Sequence, residues 1–321
     1  MAGGSHIVLT SIHPPTAQVE GLLRQPGWQT IFVADLKTPD FPIPEGLHRL
    51  SVEDQKAVPL GAALPWNHYA RKNLGYLHAM ALGAARLFDT DDDNLPVEPW
   101  GPEPAGPPVL AAGAKWINAY AHFGGGQVWP RGFPLERIGA CEAPATRPAG
   151  DPTVAVWQGL VGGDPDVDAI FRLTRPDPVT FRDAPPLVLA AGSYCPFNSQ
   201  NTLWSPRAFP YLYLPATVTF RFTDILRGLV AQRCFWAHGW SLGFQGATAW
   251  QERNPHDLLV DFRDELPCYL QAARVVQILD ALPLGVQPAA NLRACYGALA
   301  EAALVRREEL PLVDLWLQAL P

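Results

Sequence analysis

The sequence predicts an α/β fold: a parallel sheet covered by helices, with a helical tail. Two short apolar runs, His6 to Ile12 and Thr30 to Asp35, flank a helical-looking segment from Thr16 to Gln25, and this β-α-β opening favours parallel pairing. A second helix, His68 to Ala84, follows from Ala70, Leu74, Leu77, Ala81 and Ala84, which share one face. The chain from Cys268 to Leu320 is periodic in the same way, with breaks at Pro283 and Pro288.

Between these parts the elements follow in order. Gly83 suits a helix stop, and Ala85 to Phe88 is an apolar strand start that runs directly into Asp89-Thr-Asp-Asp-Asp-Asn94. Leu95 to Pro152 is rich in Pro, Gly and aromatic residues and reads as ordered loop. Val154 to Gly159 is a strand, Gly163 to Arg172 a turn leading into another element, and Thr217 to Phe222 a strand by alternation and β-branching. Thr223 caps a helix over Asp224 to Ala237.

The 321 residues are 48% hydrophobic and 17% charged, enough to bury a large core. A formal charge of −7 argues against nucleic acid as a partner, because phosphate-backbone binding wants a basic face. The five cysteines are odd in number and contain no C-x-x-C pair, so they read as reduced thiols without a zinc site. No basic segment followed by an apolar one opens the chain, and no apolar run reaches the ~20 residues that cross a bilayer, so a cytoplasmic protein without a transmembrane segment is expected.

In a parallel sheet, ligands sit beyond the carboxyl ends of the strands. Thr10, Ser11, His13, Asp35, Lys37 and Thr38 therefore stand at the expected mouth. The Asp89 to Asp93 run is the strongest local signal. If extended, it points Asp89, Asp91 and Asp93 to one side and Asp92 to the other, and a divalent cation such as Mg²⁺ or Mn²⁺ would relieve their repulsion. A solvated acidic turn is the bland alternative. Arg71 and Lys72 could face a diphosphate held there, or simply balance the acids, and Asn73 lies on the other side of the helical stripe. Asp224 in a first helical turn is either favoured there by the helix dipole or a rigidly held general base, with Arg227 one turn on to orient it. Asp164, Asp166 and Asp168 form a turn or a sugar-hydroxyl site. Trp129, Trp204 and Trp250 are core residues or stacking surfaces for a sugar ring. His256 is a candidate metal ligand or lies in a helix cap.

The segments Leu64-Pro-Trp-Asn67, Ala70-Arg-Lys-Asn-Leu-Gly-Tyr76, Asp89-Thr-Asp-Asp-Asp-Asn94, Trp129-Pro-Arg-Gly-Phe-Pro134, Asn198-Ser-Gln-Asn-Thr-Leu203 and Thr223-Asp-Ile-Leu-Arg-Gly228, in this order, resemble the STELLO glycosyltransferases. They resemble more distantly the reversibly glycosylated polypeptides, which act as UDP-arabinopyranose mutases. The resemblance spans residues 5 to 267 and implies a GT-A-like, Rossmann-type, mostly parallel sheet flanked by helices. On that reading residues 5–95 bind the nucleotide sugar, 96–267 the acceptor, and 268–321 are a helical extension that caps the site, forms a homo-oligomer or completes the core.

The resemblance implies a UDP-sugar donor, a carbohydrate or other hydroxyl acceptor, and Mn²⁺ or Mg²⁺. Thr10, Asp35, Lys37, Arg71, Asn73, Asp91 and Asp92 would meet the donor. Asp91 and Asp93 would hold the metal, completed by Gln251, His256 or neither. Trp129, Arg131, Asp166, Asp168 and Asn198 would surround the acceptor, and Asp224 with Arg227 would serve an inverting transfer. A mutase that needs no acceptor and a non-catalytic scaffold of the same fold are the competing readings.

Overall fold

A computed structural model describes residues 3–98, 100–140, 142–175, 177–252 and 257–321. Among them one sheet runs through the molecule. Its strands are β1 (Ser5–Ser11), β2 (Trp28–Ala34), β3 (Leu47–Leu50), β4 (Arg86–Thr90), β5 (Asn94–Pro96), β6 (Val109–Ala111), β7 (Thr146–Pro148), β8 (Val154–Gly163), β9 (Leu187–Leu189), β10 (Asn201–Trp204) and β11 (Ser241–Gln251). The spatial order is β3-β2-β1-β4-β10-β8-β11-β9-β6-β7, with β5 paired to β11. The four strands of the N-terminal half are parallel to one another, as the β-α-β opening predicts. Antiparallel pairing enters with β10, which lies between β4 and β8.

The helices are α1 (Ala17–Leu23), α2 (Val52–Lys56), α3 (Pro59–Ala63), α4 (Lys72–Ala81), α5 (Ala119–His122), α6 (Ala169–Thr174), α7 (Thr223–Ala237), α8 (Leu258–Asp280), α9 (Pro288–Glu301) and α10 (Glu309–Ala319). One face of the N-terminal sheet buries Ile7, Leu9, Phe32 and Phe88 under Val19 and Leu22 of α1. The other face carries the large core, in which Val8, Ile31 and Val33 pack under Leu74 and Leu77 of α4. There α4 lies almost on the strands, because a Cβ on Gly75 would come within 2.5 Å of Val8 Cγ1 and 2.7 Å of Val33 Cγ2.

The helix predicted over His68 to Ala84 is shorter. His68 caps a 3-10 turn, Tyr69–Arg71, and the α-helix starts at Lys72. The strand predicted from Thr217 to Phe222 does not form, and the segment ends in a 3-10 turn, Phe220–Phe222. Val218, Phe220 and Phe222 would share one strand face, but Phe222 is buried in the core while Phe220 stays exposed, so the alternation marks no common buried face. The Pro-rich stretch from Leu95 to Pro152 contains β5, β6, β7 and α5 as short elements within the loops.

The helical tail shares the main core. Val275 and Leu279 of α8, Tyr296 and Leu299 of α9 and Trp316 of α10 join the cluster that holds Leu226 and Phe235 of α7. The boundary expected at 267/268 falls inside α8. Pro283 lies between α8 and α9, while Pro288 opens α9 at its first turn, where its missing N–H has no cost. Among the described residues no helix is long and apolar enough to cross a membrane. Cys195, Cys234, Cys268 and Cys295 are free, buried thiols.

Under the sheet's carboxyl edge lies a fully buried ion triad. Asp89 receives Lys72 Nζ at 2.7 Å on one oxygen and Arg227 Nη1 at 2.8 Å on the other, and the Tyr76 hydroxyl donates to it at 2.8 Å. Breaking such a group strands an uncompensated charge in the interior. Asp89→Asn is therefore expected to lose about 3–5 kcal/mol in urea unfolding. Removing Asp314 from the exposed Arg293 pair should cost less than ~1 kcal/mol.

Asp168 shows the opposite electrostatic balance. It caps α6 through the Phe171 amide (2.8 Å) and accepts from the Trp129 indole (2.7 Å). Burial nevertheless outweighs these bonds and, with Glu265 adding to it, pushes its carboxyl from 3.8 up to about 6. A carboxyl raised on folding binds its proton more tightly in the native state, so its contribution to stability falls as pH rises from about 4 to about 6. Asp168→Asn removes that ionisation and, with a single acceptor oxygen, gives up one of the two bonds at every pH. Its melting temperature relative to the parent should rise over this range and level off above it, as thermal scans from pH 4 to pH 8 would check.

Candidate functional site

A cleft of about 770 Å³ opens at the carboxyl ends of β1, β2 and β4. Thr10 and Ser11 of β1, Asp35 and Lys37 beyond β2, and Asp91, Asp92 and Asp93 beyond β4 line one side. Arg131, Asp166, Arg221 and Asp224 line the other. Residues spread over more than 200 positions thus meet on one concavity, whose volume suits a small-molecule ligand.

The acidic run does not stay extended. β4 ends at Thr90, so the side-to-side alternation expected of Asp89, Asp91 and Asp93 is lost in the turn that follows. Asp89 points into the core, leaving the next three acids at the cleft. Asp91 accepts from the Tyr69 hydroxyl (2.6 Å) and from Lys72 Nζ (3.2 Å). Burial still holds its carboxyl above the usual range, with Lys72 and Tyr69 opposing. Asp92 accepts from Ser11 Oγ, and Thr16 Oγ1 donates to its backbone carbonyl at 2.6 Å. Asp93 accepts from Gln251 Nε2 at 2.5 Å, and burial together with Asp91 and Asp92 pushes its carboxyl up to about 7.

This is a hard-oxygen set in which burial and neighbouring acids raise Asp91 and Asp93, and hard oxygens so placed are the chemistry a divalent cation fits. Among the described residues no three acids, histidines or cysteines converge as a complete metal cage. Mg²⁺ and Mn²⁺ do not need one, since one or two carboxylates are completed by water and substrate phosphate. His256 lies outside the described residues, and Gln251 is placed at the cleft beside Asp93.

The opposite wall is an alternating chain of charges. Arg131 binds Asp166 through Nε and Nη2, both at 2.7 Å, and Asp224 at 3.1 Å. Arg221 lies 4.0 Å from Asp166 and donates to Glu265 of α8 at 2.7 Å. Asp166 and Asp224 hold the Arg131 guanidinium well above its ordinary range despite burial. Asp224 is reached by Ser199 as well, through its amide at 3.3 Å and its hydroxyl at 3.4 Å. The helix is entered through Phe222, so Thr223 is not its cap, and Asp224 faces the cleft from the first turn.

Several residues expected at the site stand elsewhere. Arg71 is fully buried away from the cleft, where it donates to Gln55 (2.7 Å) and to the carbonyls of Gly61 and Leu64 (3.1 Å each) and lies over the Trp66 ring. Burial lowers it to about 10. The cation beside the acids is its neighbour, Lys72. Asn73 clamps the backbone of Leu214, giving and taking a bond at 2.8 Å each. Arg227 is consumed by Asp89 and the Asn198 carbonyl, so it does not orient Asp224. Trp129 and Asp168 bind each other in the interior, and Trp204 is fully buried. Asn198 lies behind the wall and donates to Asp166 at 2.8 Å. Asp35 lines the cleft, but its oxygens already accept the amides of Leu36, Asn67 and His68. It shapes the turn that carries Asn67, whose φ of 52° lies in the left-handed region Asn tolerates.

Arg221 and Tyr69 at the cleft carry no motif in the sequence. Arg221 sits in the segment misread as a strand, and only its position three residues before Asp224 could have pointed to it.

Comparison with known proteins supplies the kinship. The family model of STELLO glycosyltransferases matches residues 221–321, which begin at Arg221 and carry Asp224. Two Arabidopsis thaliana proteins, named "Probable glycosyltransferase STELLO2" and "Probable glycosyltransferase STELLO1", are each 30% identical over an alignment of 298 residues that covers 85% of this chain. The chain spans 39% and 38% of their lengths. A crystal structure of a mycobacterial protein overlaps with a TM-score of 0.40 at 10% identity, covering 87% of this chain and 74% of that one. With 85% of its length aligned to these relatives and its last third matched by the family model, the chain is STELLO-like.

Proposed function

We propose that the cleft transfers a sugar from a nucleotide-sugar donor, a UDP-sugar, to a hydroxyl of a carbohydrate or other acceptor. The observation that carries this reading is the joint placement on one cleft of three carboxylates at the end of β4 and an acid held at the start of α7. Kinship with the STELLO glycosyltransferases supports the reaction class.

In this reading Thr10 and Lys37 meet the nucleoside end of the donor, and Asp91 and Asp93 hold Mn²⁺ or Mg²⁺ against its diphosphate. The metal would supply charge neutralisation of the leaving diphosphate. Lys72, fixed by Asp89, keeps Asp91 in place and adds positive charge behind it. On the opposite wall Arg131 orients both Asp166 and Asp224. The long contacts from Ser199 to Asp224 are the ones an acceptor hydroxyl can replace. Asp224 then takes the hydroxyl proton as the oxygen attacks the anomeric carbon, and attack opposite the departing diphosphate inverts that carbon.

Asp91→Ala and Asp93→Ala are each expected to weaken Mn²⁺-dependent UDP-sugar binding about tenfold or more by calorimetry, equivalent to ~1.4 kcal/mol. Unchanged affinity in both would overturn the donor assignment. Asp224→Asn should bind the donor normally and lower the transfer rate roughly a hundredfold to ten-thousandfold. NMR of UDP-sugars incubated with the protein and Mn²⁺ alone checks the reaction class, since a change of ring form without acceptor would mean a mutase.

A further inference from the structure

A second recess of about 300 Å³ adjoins the cleft and shares Asp164, Gln251 and Glu252 with it. Its apolar side is Trp250, which remains 37% exposed while Trp129 and Trp204 are buried. Trp250 sits on β11 opposite Gly162 of β8, and the indole lies across bare backbone. A Cβ on Gly162 would come within 2.7 Å of its Cε3, and one on Gly163, whose φ is +85°, within 2.9 Å of its Cε2. Two successive glycines thus make room for a large ring that is only partly covered. An indole left open at a recess costs apolar exposure unless a ligand covers it.

The rim has the complementary polarity. Arg175, Asp177 and Glu252 are exposed around the recess, and Asp164 is set in place by Arg172 at 3.2 Å. A pyranose ring has the chemistry that matches: an apolar face of axial C–H groups for the indole, and a girdle of hydroxyls that donate to carboxylates and accept from a guanidinium. We propose that this recess is a sugar subsite that holds a second pyranose unit of the acceptor, so that the acceptor is a saccharide chain rather than an isolated hydroxyl. The proposal rests on the glycosyltransferase reading of the adjoining cleft.

The test is titration of methyl pyranosides and linear tetrasaccharides of glucose, galactose, mannose and xylose, without donor, read by saturation-transfer NMR and calorimetry. At least one tetrasaccharide should bind the unmodified chain more tightly than its methyl glycoside. Trp250→Ala should weaken that binding roughly tenfold, while Trp250→Phe, which keeps an aromatic face, restores most of it. Asp177→Ala, a change at an exposed position, should weaken it several-fold without affecting folding. If no saccharide in the panel binds, or if Trp250→Ala binds them equally, the subsite is overturned. A parallel titration with UDP and Mn²⁺ separates the two readings, because loss of nucleotide binding with intact saccharide binding would sink the donor assignment and leave the recess standing.

Discussion

Asp89 is the residue from which both walls of the cleft take their positions. A carboxylate with no exposure is tolerable only with its charge balanced in place, and here the balance comes from two helices, through Lys72 of α4 and Arg227 of α7. Each cation then reaches further. Lys72 donates to the Thr90 carbonyl at 2.5 Å and to Asp91, fixing the start of the acidic turn. Arg227 donates to the Asn198 carbonyl at 3.1 Å, fixing the loop that sends Asn198 to Asp166 and Ser199 to Asp224. One buried charge thus couples the two sides, and neither can shift far without exposing an unpaired ion to the core.

This dependence explains what the sequence could and could not reveal. The parallel opening, α4 and α7 and the acidic end of β4 are local in origin, set by periodicity, capping and strand-end chemistry within a few residues. The cleft's acids were therefore legible. The fates of Arg71 and Lys72 were not, because they turn on tertiary partners outside the helix's own pattern. One residue's difference along the helix start sends Arg71 to Gln55, Gly61 and Leu64, and Lys72 to Asp89. Arg227 stands one turn from Asp224 in sequence, yet the opposing charge of Asp89, 138 positions away, takes it inward. The strand misread at Thr217 to Phe222 has a similar cause. Alternation of apolar residues makes a strand only where another strand takes up the backbone, whereas here Glu309 of α10 accepts the amides of Ala216 and Thr217 at the segment's start.

The tail illustrates a further coupling. Its helices complete the core, but α8 also reaches the cleft wall, since Glu265 is fully buried and accepts from Arg221, from Tyr269 and from the amide of Ala169. From there the chain of charge runs Glu265, Arg221, Asp166, Arg131, Asp224, alternating in sign at every step. An alternating row of this kind gives each buried carboxylate a guanidinium partner, and Arg131 and Arg221 hold the Asp166 carboxyl below its usual range despite burial.

The contrast between the two walls is then the basis of the chemistry. On the β4 side Lys72 pairs with Asp91, and burial together with Asp91 and Asp92 raises the Asp93 carboxyl to about 7. On the α7 side every acid has its guanidinium. Burial and neighbouring acids raise Asp91 and Asp93 above the usual carboxylate range, and positive charge brought beside them relieves that repulsion. A ligand that brings its own cation, as a metal-bound diphosphate does, is favoured there over one that brings none. On the opposite wall three acids share two guanidinium groups in ion pairs, and the long Ser199 contacts on Asp224 are the ones a hydroxyl-bearing group can compete for. On the proposed reading, a charged donor on the β4 wall and an uncharged acceptor on the α7 wall would divide according to these pairings.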